Sequence, residues 1–261
     1  MIGNDYDFTG KVAIVTGGGT GIGAATALML AQLGANVTIA SRKAEVLDAK
    51  AAEITAATGR PCLAIPTDVR DESQVAALVA KTVAHFGRLD ILINNAGGTI
   101  LKALKDVTSS NWHKSFDLNV HSAYYATHEA GKHFMAQRSG VIVNVSSMAG
   151  VHGTRGGAPY SASKAALQMF TRVAAAEWGP YGIRVNCVAP GMILSEVATE
   201  HLKASNLDIE ASTKVFPLQR AGQPEDVAKA IVYFASEAAA YVTGETLAVC
   251  GGPVLGGPNE I

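Results

Sequence analysis

The chain has 261 residues, 48% of them hydrophobic and 16% charged, which suits one large α/β domain or two small ones and excludes disorder on a large scale. A formal net charge of −1 provides no overall basic field for nucleic acid or an anionic membrane, so neither partner is expected. Three widely spaced cysteines, Cys62, Cys187 and Cys250, show neither CxxC nor metal-ligand spacing and suit reduced thiols in a cytoplasmic protein.

The first ten residues lack a basic stretch followed by an apolar one, so no secretory signal is expected. The uncharged run 24–41 is interrupted by Gln32, Gly34, Asn36 and Thr38 and changes from helical to strand-like patterning midway, which argues against a membrane span. Before it, the β-branched run KVAIVT at 11–16 reads as a strand. The glycine-rich residues 17–23 then lead into an Ala- and Leu-rich helix to about 33, Gly34 stops that helix, and 37–40 is a second apolar strand.

The alternation continues with a helix over 43–58, a strand near 62–65, a helix near 73–86 and a strand at 91–94. A long helix ending near 138, a strand at 141–145, a helix over 161–178 and a strand at 184–188 follow. Continuous apolar strands separated by helices imply an α/β fold, a doubly wound (Rossmann) parallel sheet with helices on both faces. With no Pro/Gly/Ser linker and no solenoid-scale repeat, residues 1–261 read as one domain. The irregular stretch 191–224 follows a strand end and is expected to be a mobile substrate lid.

TGGGTGIG at 16–23 fits two glycine patterns, TGxxxGxG from Thr16 and GxGxxA from Gly19. Because the apolar strand ends at Thr16, the first register is preferred. Gly17 then makes the tight turn, while Gly21 and Gly23, flanked by Thr20 and Ile22, let a pyrophosphate approach the helix N-terminus. Glycines also serve turns with no ligand, so the strand before this turn and the helix after it supply the confirming context.

An Asp or Glu closing the second strand would hold the ribose 2′-hydroxyl of NAD, and ASRK at 40–43 has neither. Cations at a helix start oppose its dipole by about 0.3 to 1 kcal/mol. A charge-assisted bond to a 2′-phosphate, about 1.5 to 3 kcal/mol, outweighs that. NADP(H) is therefore expected, with Ser41 and Arg42 as phosphate contacts. The bland alternative is that Ser41 caps the helix while the cations face water. Asp68, followed by Val69, is placed to reach the adenine, although an Asp there serves equally as a helix-entry turn residue. In NNAG at 94–97, at the sheet's ligand edge, the amides can satisfy backbone groups or face the ribose; Asn95, Ala96 and Gly97 are expected at the cofactor and Asn94 in a structural role.

Tyr160 and Lys164 are spaced i, i+4 and so share one helix face. A phenol near pKa 10 is a poor acid/base at neutral pH, and lowering it by about three units takes roughly 4 kcal/mol. One positive charge at about 5 Å supplies on the order of 3 kcal/mol at an effective dielectric near 20. Upstream, VIVNVSS at 141–147 delivers two serines at a strand end. Ser147 is expected to hydrogen-bond the substrate oxygen, against the alternative that both serines only cap the following loop. Asn119 interrupts a long apolar helix; its amide is expected to position a water beside Lys164, unless local backbone satisfies it.

Taken together and in order, TGGGTGIG, Asp68, NNAG, Asn119, Ser147, the YxxxK pair and Pro190-Gly191 resemble the short-chain dehydrogenase/reductase family over essentially the whole chain. The resemblance implies a catalytic tetrad of Asn119, Ser147, Tyr160 and Lys164, with Tyr160 and Lys164 also at the nicotinamide ribose. It further implies that Pro190, Gly191, Ile193 and Ser195 lie at the carboxamide, with Ser195 where the family usually has Thr. TGGGTG with IASRK is similar to NADPH-dependent dienoyl-CoA reductases and to bacterial 3-oxoacyl reductases. The former do not keep Tyr at the first position of YxxxK, which favours carbonyl or secondary-alcohol chemistry here. Cys250 stands where the family usually has Asp, and no mechanistic reading attaches to it.

No histidine shows metal-ligand spacing, so no metal is expected. His152 reads as a solvated loop residue, and Trp178 with the alanines at 174–176 as core. The helix over 161–178 is apolar most of the way round, which implies a homo-oligomer, a homotetramer by the family resemblance. The expected activity is an NADP(H)-dependent carbonyl reductase, or the reverse alcohol dehydrogenase, with a small-molecule substrate of medium or acyl-chain type. Met192, Leu194, His201, Leu202 and Phe216 suggest a partly apolar pocket. The alternatives are enoyl- or 2,4-dienoyl-CoA reduction and a non-catalytic NADP-binding regulator, whose expected signature, a degraded tetrad, is missing.

Overall fold

In the computed structural model, which describes residues 5–196 and 213–252, the apolar runs form seven strands. They are β1 (Val12–Thr16), β2 (Asn36–Ser41), β3 (Cys62–Pro66), β4 (Ile91–Asn94), β5 (Gly140–Val145), β6 (Ile183–Pro190) and β7 (Thr246–Val249). The helices are α1 (Gly21–Gln32), α2 (Ala44–Thr58), α3 (Glu72–Phe86), α4 (Ser109–Phe116), α5 (Ser122–Gln137), α6 (Ala149–His152), α7 (Ala158–Trp178) and α8 (Pro224–Ala235). All pairings are parallel, in the order β3-β2-β1-β4-β5-β6-β7. Parallel neighbours need crossover connections, and these helices supply them.

β1 explains why the strands read as unbroken apolar runs. Ala13 and Val15 belong to the core on one face, beneath α1, α2 and α8, while Val12 and Ile14 belong to the core on the other, beneath α3 and α5. All five of its residues are buried, and a strand buried on both sides has no polar alternation to show. β1 also pairs with β2 on one side and β4 on the other, with Ile14 opposite Thr38 and Leu92. At such a switch in strand order the connections leave in opposite directions and open a crevice at the carboxyl ends.

Four departures from the sequence expectation bear on that crevice. The long helix before β5 is split into α4 and α5 by a π-turn, Asp117–His121, which contains Asn119. α7 begins at Ala158 and so takes Tyr160 into its first turn. β7 and α8 have no counterpart in the expected elements. β7 is four residues long with Leu247 and Ala248 exposed, so it lacks both a run and an alternation; α8 starts after a Gln223/Asp226 capping box with Pro224 in its first turn. Of the expected lid, 191–196 and 213–224 are described, and Ile193 pairs with Gly222; its remaining residues, His201 and Leu202 included, lie outside the described residues.

Among the described residues no helix is long and apolar enough to cross a membrane.

Candidate active site

The glycine turn leaves β1 at Thr16, the preferred register. Gly17 adopts φ of 66°, a left-handed conformation that favours glycine, and its N–H donates to the Ala40 carbonyl at 2.7 Å. Gly23 departs from the expected role. A Cβ on it would collide with the Gly17 carbonyl oxygen and lie 2.5 Å from Asn95 Nδ2, so its missing side chain serves close packing inside the turn. Gly21 faces the other way, and its Cβ would meet Ser195 Cβ at 3.1 Å. Thr20 precedes α1 without a side-chain cap, and the first turn of α1, which contains Ile22, carries no acidic residue. An uncapped helix start without negative charge fits a pyrophosphate.

Of the two uses open to it, the Asn95 amide takes the backbone one. It donates to the carbonyls of Thr16 at 2.9 Å and Gly17 at 3.2 Å, which holds the turn rather than presenting donors to a ribose. The Thr16 hydroxyl donates to the Ile93 carbonyl and accepts from the N–H groups of Asn95 and Ala96, both at 3.0 Å. Thr16 is a structural residue that the sequence reading overlooked; a polar residue closing an apolar strand was the available signal.

Ser41 closes β2 and does not cap α2, whose N-cap is Lys43 with no side-chain bond. The Ser41 hydroxyl instead faces Gly19, 3.6 Å from where a Cβ on that glycine would lie. Arg42 is exposed, and its charge, after the larger effect of Arg70, helps hold Asp68 at a pKa of about 2. Arg70 forks that carboxylate, with Nε at 2.9 Å from Oδ1 and a terminal nitrogen at 2.5 Å from Oδ2. Val69 turns its side chain into the core, so only its backbone can face a ligand.

Asn94 takes the structural role expected of it, donating to Asn144 Oδ1 at 2.9 Å and to the Thr127 hydroxyl at 3.1 Å within the sheet interior. Beyond it, the chain at Gly97 runs flush against the side chains of Asn119 and Lys164. A Cβ there would lie 2.8 Å from Asn119 Oδ1 and 3.1 Å from Lys164 Nζ. Asn119 is 1% exposed, and its amide clasps Gly98 by accepting from the N–H and donating to the carbonyl, both at 3.0 Å. The same nitrogen reaches Ser115 and Ser163 at 3.3 and 3.2 Å. This clasp is to backbone 21 residues away, not to the local backbone weighed as the alternative for Asn119.

Lys164 is 4% exposed, donates to the Val145 carbonyl at 2.8 Å, and lies 5.9 Å from the Tyr160 ring centroid. Burial lowers its pKa from 10.5 to about 8, so it remains mostly charged at neutral pH. Ser147 Oγ accepts the Ala149 N–H at 3.1 Å, the capping role weighed for it. That bond uses an oxygen lone pair and leaves the hydroxyl proton available to a substrate oxygen. The buried Ser146 hydroxyl donates to the Lys164 carbonyl at 2.9 Å.

β6 ends at Pro190, whose carbonyl accepts the Met148 N–H, and the Gly191 N–H donates to Val249. Cys250 packs on Gly191, its Cβ 2.8 Å from where a Cβ on that glycine would be. A cavity of about 520 Å³ opens there, with Met148, Met192, Leu218 and Cys250 in its wall. The thiols of Cys62 and Cys187 are pushed up by burial, to about 12 and about 11, and all three cysteines are free. His152 is exposed; Ala174 and Ala175 are core, Trp178 is half-buried and Ala176 is exposed. Among the described residues no group of His, Cys, Asp or Glu side chains is arranged to hold a metal.

Comparison with known proteins agrees with this arrangement. A family model described as Enoyl-(Acyl carrier protein) reductase matches residues 17–253. The chain is 39% identical to a 3-oxoacyl-[acyl-carrier-protein] reductase of Synechocystis, covering 95% of this chain and 98% of that one. It is 36% identical to a peroxisomal 2,4-dienoyl-CoA reductase of Danio rerio, covering 96% and 84%. Among solved structures, a short-chain type dehydrogenase/reductase from Mycobacterium marinum superposes with a TM-score of 0.89 at 32% identity, over 96% of this chain and 98% of that one. A 7α-hydroxysteroid dehydrogenase complexed with NADH and 7-oxo glycochenodeoxycholic acid superposes with a TM-score of 0.91 at 32% identity, over 96% and 97%. The family-model match over residues 17–253 and the whole-length likeness to these proteins place the chain in the short-chain dehydrogenase/reductase family of oxidoreductases.

Proposed function

We propose that the chain is an NADP(H)-dependent oxidoreductase that interconverts a small-molecule carbonyl and its secondary alcohol, with Tyr160 as general acid/base. The observation that carries this reading is Lys164, a buried ammonium hydrogen-bonded to a neutral carbonyl and set beside the Tyr160 ring. Burying a charge costs stability, and here it places that charge beside the proposed acid/base residue.

In the reducing direction Tyr160 gives its proton to the substrate oxygen, and in the oxidising direction it takes that proton back. Ser147 donates to the same oxygen, held in place through the Ala149 N–H. Asn119 fixes Gly98 and the break between α4 and α5. The nicotinamide cofactor supplies the hydride when bound. The residues that would hold it are Gly17, Thr20, Gly21 and Ile22 at the pyrophosphate, Asp68 and Val69 at the adenine, and Ala96 and Gly97 at the ribose. Pro190, Gly191, Ile193 and Ser195 would line the carboxamide. NADP(H) is favoured over NAD(H) because Ser41 is not a helix cap and Arg42 is exposed beside it. Double-bond reduction of an enoyl or dienoyl thioester is the second reading, favoured by the description of the matching family model and disfavoured by Tyr160. The protein is proposed to be cytoplasmic and a homotetramer, the latter because Tyr124, Met169 and Val173 on α5 and α7 are 46%, 56% and 48% exposed.

Arg42→Asp is expected to lower kcat/KM with NADPH at least tenfold while NADH turnover holds or rises, a factor equal to about 1.4 kcal/mol; unchanged preference removes the NADP(H) assignment. Tyr160→Phe is expected to cut turnover of a 3-oxoacyl thioester or other accepted ketone by 10²-fold or more, as general acid/base removal does. Retained turnover, or preference for a 2,4-dienoyl thioester, favours the second reading.

Lys164→Met separates stability from function. Between about pH 8 and pH 10.5 the folded chain has released the Lys164 proton while the unfolded chain still holds it, so parent stability rises with pH in that window. Relative to the parent, the variant is expected to lose on the order of 3 kcal/mol between those limits in urea unfolding, and to be inactive throughout. For the assembly, light scattering at micromolar concentration is expected to give four times the chain mass, and a monomeric mass rejects the homotetramer.

A further inference from the structure

We infer that Gln168 is a positioning residue for Ser147, a step that rests on the proposed role of Ser147 at the substrate oxygen. Gln168 lies one turn beyond Lys164 on α7, on the face that carries Tyr160 and Lys164. Its Nε2 donates to Ser146 Oγ at 2.9 Å and to the Ser147 carbonyl at 3.3 Å.

The direction of these bonds follows from their partners. A peptide carbonyl can only accept, so the amide nitrogen, not its oxygen, must face Ser147. Ser146 gives its own proton to the Lys164 carbonyl at 2.9 Å, which leaves its lone pairs to accept from Gln168. A directed chain therefore runs from the Gln168 amide through Ser146 to the backbone of Lys164, with a second arm on Ser147.

Close approach makes the short reach possible. Gly150 lies flat on α7, where a Cβ would come within 2.7 Å of the Lys164 carbonyl carbon, 2.8 Å of the Ala165 nitrogen and 2.9 Å of Gln168 Nε2. The serine loop is thereby docked on the helix that carries the acid/base pair, and Gln168 fixes the Ser147 peptide from below. Without it, Ser147 is held by its hydroxyl bond to Ala149 and its carbonyl bond from Gly150, both within the loop itself. Ser146 on the Lys164 carbonyl and Met148 on Pro190 hold the residues either side, and Gln168 is the side chain that ties the Ser147 peptide itself to α7.

The test is a double-mutant cycle on Gln168→Met, which keeps side-chain length and removes the donors, and Ser147→Ala. With an accepted ketone, Gln168→Met is expected to lower kcat by about tenfold or more, the cost of a small misplacement, while the Kd for NADPH stays within about twofold. In the Ser147→Ala background the same change is expected to cost less than about twofold, because the group it positions is gone. Gln168→Glu, which donates only when protonated, is expected to lose more rate relative to the parent at pH 8 than at pH 5. Equal losses from Gln168→Met in both backgrounds, or none in the first, overturn the inference. A crystal structure of Gln168→Met with Ser147 Oγ displaced by less than about 0.5 Å overturns it independently of any turnover. A parent chain that reduces no carbonyl at all overturns the proposed function instead, and Ser147 in that crystal structure still decides whether Gln168 positions it.

Discussion

The site depends on a latch between β1 and β4. Sheet pairing between these strands stops at their carboxyl ends, where the two connections diverge, and an open crevice would leave both ends loose. The Thr16 hydroxyl takes the N–H groups of Asn95 and Ala96 and gives its proton to Ile93, while the Asn95 amide reaches back to the Thr16 and Gly17 carbonyls. Five hydrogen bonds from two side chains therefore fix the glycine turn relative to Gly97. Because Gly97 lies against Asn119 and Lys164, the glycine turn and the Asn119–Lys164 pair share one frame.

The second frame is built on the opposite strands. β5 delivers Ser146 and Ser147 to its carboxyl end, and α7 crosses behind them with Ser163 toward Asn119, Lys164 toward Val145 and Thr171 accepting from Asn144. Asn94 and Asn144 extend this polar seam through the middle of an apolar sheet. Buried amides are expensive unless paired, and here the pairing ties β4, β5, α5 and α7 together at the level beneath the site.

Much of this was legible in the sequence because local chemistry and global fold agree. A strand buried on both faces shows as an unbroken apolar run, and a strand followed by glycines and a helix identifies the phosphate turn. The i, i+4 spacing of Tyr160 and Lys164 places both on one side of a helix before any coordinates are known. What was not legible depends on long-range contacts. Gly23 and Asn95 look like ligand contacts in a linear motif, yet their neighbours are each other and Gly17, residues brought together only by the β1–β4 switch. The clasp of Asn119 on Gly98 needs the π-turn, which helical periodicity hides, and the four-residue β7 is recognisable only beside β6.

The seating of α7 also divides the labour of motion. Tyr160, Lys164, Gln168 and Thr171 occupy successive turns, and the last three are anchored to β5 or to the loop that follows it. Sliding or rotating this helix would break several buried bonds at once, so it acts as the fixed wall of the crevice. The opposite wall is the chain after β6, which rests Ser195 on Gly21 and is held through Ile193 and Gly222. In the proposed oxidoreductase, acid/base chemistry and admission thus reside on separate elements, so that sequence changes after Gly191 would retune admission without moving Tyr160.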